Sequence, residues 1–328
     1  MSNSDKAVVV DRIRKTFGEV VALDDISFDI GRGEVIGLLG PNGAGKTTIV
    51  DILSTLSRPD RGRATVAGYD VVSEPAGVRR SIMLTGQHTA IDDMLTGYEN
   101  LVMFGRLFGL NKSAARARAS ELIGEFDLVD AGNRRVGTYS GGMRRRIDIA
   151  CGLVVQPQVA FLDEPTTGLD PRSRQGIWDL VARFKSAGIA TLLTTQYLEE
   201  ADELSDRIIV IDHGSVIAEG TADELKARTG GSFCEIVPRH LKDLPAIAAA
   251  LGSLLPEKNR AALTSESERI ALPAPRGANT LVETVWRLAA ANIEVADVGL
   301  RRPSLDDVFL ALTEDSSASR APVTEVMQ

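Results

Sequence analysis

The sequence is short of several residue types that would tie it to a ready class. It holds only two cysteines, Cys151 and Cys234, far apart in the chain. That excludes a disulfide framework and points to a reducing compartment. Cys151 stands among apolar residues and reads as a small core residue. Histidine is equally scarce: His88, His213 and His240 are scattered and lack partners at metal-ligand spacing, so they read as ordinary polar residues. No window approaches the roughly 18 apolar residues of a membrane span. The opening MSNSDKAVVVDRIRKTFG has no long apolar core after a basic start, so no signal peptide is expected. Any work at a membrane must therefore borrow its spans from another chain. Basic residues are in deficit, 37 Lys and Arg against 45 Asp and Glu, for a net charge of −8. That argues against a binder of nucleic-acid backbone, and no nucleic-acid partner is expected. The chain has no internal repeat and no heptads.

What is present is an alternation. VALDDISFDI and the apolar runs EVIGLLG, SIMLTGQ, QVAFLDE, ATLLTTQ and RIIVIDHG read as strands. Between them KTTIVDILSTL, ENLVMFGRLFGL, KSAARARASELIGEFDL, GGMRRRIDIACGLVV and SRQGIWDLVARFKSAG read as helices. Strands alternating with helices predict an α/β domain, its parallel sheet covered on both faces, over residues 6–229. The nearly all-helical run from about 88 to 155 is expected to be an insertion into it. Gly230 and Gly231 mark a boundary. Beyond them FCEIV, ERIALPA and VADVGLR alternate with LKDLPAIAAALGSLL, TLVETVWRLAAAN and SLDDVFLALT, predicting a small α+β domain over residues 230–315. In its middle helix Val282, Val285, Trp286 and Ala289 fall at i, i+3, i+4 and i+7, giving one apolar stripe. The tail, residues 316–328, has too little hydrophobicity to fold alone.

GPNGAGKTT, residues 40–48, matches G-x-x-x-x-G-K-[ST] between an apolar run and a helical one. Glycines at Gly40, Gly43 and Gly45 let the loop through Pro41, Asn42 and Ala44 turn its N–H groups onto phosphate oxygens. The helix N-terminus at Lys46, Thr47 and Thr48 adds its dipole. In this motif Lys46 reaches the β- and γ-phosphates and the Thr47 hydroxyl ligates Mg²⁺. A Gly-rich turn capping a helix is the plain alternative; the flanking strand and helix weigh against it.

QVAFLDEP places Asp163 and Glu164 together at a strand's C-terminal edge, where ligands bind in open α/β sheets. Asp163 suits the Mg²⁺ shell, and Glu164 suits orienting or deprotonating a water for attack on a γ-phosphate. A solvated strand end is the bland reading, and the loop at 40–48 weighs against it. In YSGGMRRRIDIA, Ser140 caps an amphipathic helix. The same Ser140, with Gly141 and Gly142, offers a hydroxyl and N–H groups at a positive helix end, a second phosphate cradle. The run Arg144, Arg145, Arg146 reads as a solvated face or a dimer contact rather than a nucleic-acid patch. Two cradles on one chain suggest that one of them serves a nucleotide held by another copy.

GPNGAGKTT, YSGGMRRR, FLDEPTTGLD and Gln87 in MLTGQ, in this order and spacing, resemble the ATP-binding subunits of ABC transporters over about residues 7–225. The resemblance implies a P-loop nucleotide-binding domain with a mixed sheet core, an antiparallel β-subdomain and a helical insertion. It implies ATP and Mg²⁺ as cofactors. It also implies a homodimer that sandwiches two nucleotides between the P-loop of one copy and the 140–142 loop of the other. Carried over residue by residue, Phe17 stacks on adenine, Gln87 links the γ-phosphate and Mg²⁺ to a membrane partner, and Asp170 crosses the dimer interface. LTGYENL would lie near the membrane partner. The Gln in LLTTQYLEEAD, the YSGGMRRRID form and RRPSLDDVFLALT resemble the daunorubicin/doxorubicin-resistance exporters, and among them mycobacterial members. That implies export of a hydrophobic drug or complex lipid through integral membrane permease subunits, from the cytoplasmic face of the membrane. Tyr139 departs from the family, which more often has Leu there.

Gln196 is a second departure, since most ABC subunits have His at this place. A Gln amide can donate over a similar distance but cannot carry a proton near neutral pH. Gln196 is thus expected to position without charge, in a functional but slow ATPase, unless it only finishes its strand. The competing functions are a soluble ABC ATPase on ribosomes or DNA and a P-loop kinase. Ribosome-type members carry two nucleotide domains and DNA-type members long coiled coils, and the chain shows neither. YSGGM and Gln87 have no use in a kinase for small acceptors.

Overall fold

The computed structural model describes residues 6–86, 90–228, 231–257, 268–302 and 304–309. In chain order the first part runs β1 (Lys6–Phe17), β2 (Val20–Gly31), β3 (Val35–Leu39), α1 (Lys46–Leu53), β4 (Arg61–Val66), β5 (Tyr69–Asp70), α2 (Pro75–Ser81) and β6 (Ile82–Thr85). The helical stretch follows with α3 (Gly97–Leu107), α4 (Lys112–Glu125) and α5 (Gly141–Gly152). The chain then returns through β7 (Val159–Asp163), α6 (Pro171–Ser186), β8 (Ala190–Thr195), α7 (Leu198–Leu204), β9 (Arg207–Asp212), β10 (Ser215–Gly220) and α8 (Ala222–Arg228). Two compact units divide between Ala222 and Asp223.

In the first unit six strands form one sheet in the order β10-β9-β3-β8-β7-β6. The pairs β9–β3, β3–β8, β8–β7 and β7–β6 are parallel, and β10 adds antiparallel at one edge. A second sheet, β2-β1-β4-β5, is antiparallel throughout. The period of two along a strand explains why the central strands are apolar without a break. Ile36, Leu38, Phe161 and Leu192 point into a core shared with the antiparallel sheet and α1. Their neighbours Val35, Ala160, Leu162 and Leu193 point into the opposite core, with α5, α6 and the helical stretch. All five residues of β7 are buried. Emptying the Phe161 site by Phe161→Ala would cost about 3–5 kcal/mol and loosen the strand that ends on Asp163.

The antiparallel strands β1, β4 and β5, the edge strand β10 and the short helices α2 and α8 add to the elements named from individual segments. β1 carries charged residues at Asp11, Arg12 and Arg14 among its apolar ones, with register shifts against β2, which blurs the alternation.

The second unit has β11 (Phe233–Pro238), α9 (Leu244–Leu251), β12 (Ile270–Pro273), α10 (Ala278–Ala290) and β13 (Val295–Arg301), and its sheet order is β12-β11-β13, antiparallel. Cys234, Ile236, Ile270 and Leu272 meet Ile247, Leu251 and Leu288 in its core. Residues 305–309 are helical, with Leu305 and Val308 buried. The tail 316–328 lies outside the described residues.

The apolar stripe of α10 is reversed. Val282, Val285, Trp286 and Ala289 are exposed, Trp286 at 73%, while Thr280, Thr284 and Leu288 face the core. Thr284 can take the inner face because its Oγ1 donates to Thr280 O at 2.8 Å. That satisfies the hydroxyl within the helix and leaves a methyl to pack.

Candidate nucleotide site

The loop between β3 and α1 is built to leave N–H groups without side-chain partners. Thr96, Asn111, Ser140 and Asp170 cap α3, α4, α5 and α6 with side-chain oxygens. Helix α1 instead starts from Gly45, at φ 107°, with no side-chain cap. A Cβ at Gly45 would lie 2.7 Å from both Ala22 O and the Leu23 side chain, so glycine is required by space as well as by φ. The uncapped N-terminus, with its dipole, suits a phosphate. Gly43 also has positive φ, Asn42, Gly43 and Thr47 are exposed, and Ala44 is packed inside.

Lys46 is 4% exposed, and its Nζ donates to Gly40 O at 2.7 Å and Pro41 O at 3.0 Å. The same nitrogen lies 3.6 Å from Glu164 Oε1. Burial pulls the amine below its ordinary pKa, and the Glu164 and Asp163 carboxylates oppose that pull.

Strand order brings the second half of the site alongside. β8 lies between β3 and β7, so the C-terminal ends of all three open on one edge. Asp163, buried at the end of β7, accepts from Thr47 Oγ1 at 3.1 Å through Oδ2 and from Thr194 Oγ1 at 2.5 Å through Oδ1. A hydroxyl and a buried carboxylate so joined are hard oxygen donors, fitted to Mg²⁺ that keeps waters and phosphate oxygens as its other ligands. Glu164 follows at φ 46°, strained for a residue with a side chain. Its N–H donates to Thr194 O at 3.1 Å and Thr194 Oγ1 at 3.0 Å, and its Oε2 accepts from Thr167 Oγ1 at 3.3 Å.

Gln196 is exposed just past β8, between the edge positions of Lys46 and Glu164, where Tyr197 N turns back to Thr195 Oγ1 at 2.9 Å. Phe17 is 55% exposed at the end of β1. It pairs with Val20 in the hairpin, and Ala22, two residues on, abuts Gly45. The hairpin that carries Phe17 thus reaches the loop through Ala22, and Lys15 Nζ lies over the Phe17 ring, 5.2 Å from its centre. Gln87 lies outside the described residues.

Ser140 Oγ caps α5 by accepting from Met143 N at 3.3 Å, and Ser140 and Gly141 are exposed. Gly142 is pressed against α6: a Cβ there would lie 2.2 Å from Ser173 Oγ. Ser173 in turn donates to Asp170 through N at 3.0 Å and Oγ at 2.7 Å, holding the exposed Asp170 carboxylate well below its usual pKa. Tyr139 has a local use. Its buried hydroxyl donates to Ala131 O at 2.7 Å, a bond that Leu could not make. The arginine run divides: Arg144 pairs with Asp93, Arg146 donates to Phe126 O at 3.1 Å, and Arg145 is buried. A single solvated face therefore does not describe the run.

Lys46, Thr47, Asp163 and Glu164 come into direct contact, Gln196 follows the strand that lies between them, Phe17 lies on the hairpin whose Ala22 abuts Gly45, and the helix opened by the 140–142 turn is tied in through Arg145. Thr194, Arg145 and Glu200 were not legible as site residues. Glu200, 1% exposed on α7, sits near Thr195, Thr166 and Trp178, and burial raises its pKa. For Arg145 the available signal was its spacing, three residues after Gly142 and four before Ile149, on the packed side of α5.

The sequence pattern of the ABC transporter family matches residues 23–167. A doxorubicin resistance ATP-binding protein of Mycobacterium tuberculosis is 74% identical, with 97% of each chain covered. A daunorubicin resistance ATP-binding protein of Streptomyces coeruleorubidus is 53% identical, covering 95% of this chain and 97% of that one. Among solved structures, a dimeric ATP-binding cassette in a post-hydrolysis state with ADP and Pi superposes with TM-score 0.60 at 25% identity, over 65% of this chain and 98% of that one.

Proposed function

The chain belongs to the ABC transporter family as an ATP-binding, ATP-hydrolysing subunit, and from that premise we propose that it energises export of a hydrophobic drug or complex lipid through separate permease subunits. The drug class rests on the resistance proteins to which it is similar. The lipid class rests on the resemblance to mycobacterial exporters. The observation that carries the reading is the joining of Thr47 to Asp163 and of Lys46 to Glu164 at one sheet edge. A soluble role on ribosomes or DNA finds no support in these relatives.

In this reading the 40–48 loop holds the phosphates by its N–H groups, and Lys46 exchanges the carbonyls of Gly40 and Pro41 for phosphate oxygens. Thr47 and Asp163, with Gln87, would hold Mg²⁺, which supplies charge neutralisation at the phosphates. Glu164 orients and deprotonates the attacking water. Gln196 donates toward the γ-phosphate without charge, and Phe17 stacks on the base. Two copies pair so that Ser140, Gly141 and Gly142 of one close over the nucleotide of the other, with Asp170 at the interface. The assembly sits on the cytoplasmic face of the membrane. No helix among the described residues is long and apolar enough to cross it. The second unit serves assembly or transport, so a chain ending before residue 232 loses assembly or transport more than ATP binding.

The test is fractionation of cells that express the chain with and without its permease partner, together with drug accumulation. Permease-dependent membrane association and ATP-dependent lowering of intracellular doxorubicin support the proposal. A chain that stays with ribosomes or nucleoid whether or not the permease is present contradicts it.

A further inference from the structure

Arg145 makes a contact set that nucleotide binding does not call for. It is 9% exposed, one turn into the helix that the 140–142 turn opens. Its Nε donates to Pro165 O at 3.0 Å. One terminal nitrogen donates to Gly86 O at 3.1 Å and Asp148 Oδ2 at 3.4 Å. The other donates to Thr85 Oγ1 at 3.2 Å and Asp163 O at 3.4 Å. These contacts draw on the full planar fork of guanidinium N–H donors.

The acceptors belong to three separate segments. Thr85 ends β6 and Gly86 follows it. Asp163 and Pro165 flank Glu164, so the fork holds the backbone on both sides of the residue at φ 46°. Asp148 lies on Arg145's own helix. The Glu164 backbone is strained, and strain of this kind persists only where the surroundings over-determine it. Thr194 fixes the Glu164 N–H from one side, and Arg145 fixes the neighbouring carbonyls from the other.

We propose that Arg145 is a positioning residue for hydrolysis: it sets the backbone of Glu164 and the end of β6 at Thr85 and Gly86 from the helix that carries the 140–142 turn. The inference rests on the functional reading above. Binding of ATP uses the 40–48 loop, which Arg145 does not touch through any of these bonds. Lysine cannot replace the fork, because a point charge on a flexible stem cannot serve acceptors on three segments at once.

The test is steady-state Mg-ATP turnover and trinitrophenyl-ATP binding for wild type, Arg145→Lys and Arg145→Ala, with a thermal midpoint for each. The expected result is a fall in kcat of about tenfold or more in both variants, with ATP affinity changed less than about threefold. The lysine variant, which keeps the charge beside Asp148, carries the test if the alanine variant does not fold. Wild-type turnover in Arg145→Lys overturns the inference alone, as does a loss of ATP affinity in proportion to kcat, which marks a packing role. A wild type that shows no turnover even with its permease partner overturns the functional reading, and this inference with it.

Discussion

The Thr47 hydroxyl donates to Asp163 Oδ2 across 3.1 Å, closing a contact between residues 116 positions apart in the chain. One comes from the first turn of α1 and the other from the last position of β7, so the bond exists only because β8 spaces β3 from β7. Removing either oxygen should abolish metal-dependent turnover while leaving the phosphate loop whole. Thr47→Ala and Asp163→Asn are expected to lower Mg-ATP hydrolysis by about 100-fold or more, since phosphoryl transfer depends on positioning and charge neutralisation. Binding of ATP in EDTA should change little. Turnover close to wild type in Asp163→Asn would remove the metal role from this pair.

Gln196 offers a second test, because its side chain does not titrate. Gln196→Ala should fall toward the inactive Glu164→Gln reference, and the wild-type rate should show no limb assignable to position 196. Gln196→His should add one in the range of about pH 6–7, near the free imidazole pKa. Unchanged turnover in Gln196→Ala would mean that this residue only ends β8.

Much of this site could be read from the chain because its parts are contiguous. The 40–48 loop, the acid pair after β7 and the Ser140 cap each sit within a few residues, next to an element with a clear apolar period. What could not be read is what depends on register between strands. Thr194 looks like one more polar interruption of β8, yet pairing with Asp163 turns it into the clamp on both acids. Arg145 is hidden in a run of like charges, and only the meeting of β6, β7 and α5 shows it to be buried. In α10 the period of hydrophobicity is real but points outward, because a self-satisfied threonine competes successfully for the inner face.

Asp148 provides a pH-dependent stability test. Burial raises its carboxyl to about 6 despite the Arg145 guanidinium 3.4 Å away. A carboxyl whose folded pKa lies above its unfolded one favours the folded state at low pH, and that advantage is lost as pH rises through the folded value. The stability of wild type relative to Asp148→Asn should therefore decline between about pH 4 and pH 6.5, by on the order of 3 kcal/mol at most. Urea unfolding of both proteins across that range measures it. A difference that stays flat, or grows with pH, would contradict the raised value.

The two thiols give a check on the packing of both units. Cys151 is 1% exposed and Cys234 fully buried, and burial pushes both above the usual thiol pKa. Neither should react with a thiol reagent at about pH 8 in the native protein, and both should react in denaturant. Fast labelling of Cys234 alone would show that the second unit opens locally.

The most direct test of the account is Mg-ATP turnover of Glu164→Gln beside wild type, with ATP binding measured on the same preparations. Glu164 lies at φ 46° with its Oε1 3.6 Å from Lys46 Nζ, and the amide keeps that shape while losing the base. The account predicts that hydrolysis is lost, ATP affinity is kept and the protein is held as an ATP-bound dimer. Hydrolysis at the wild-type rate in Glu164→Gln would show that water activation belongs to another residue.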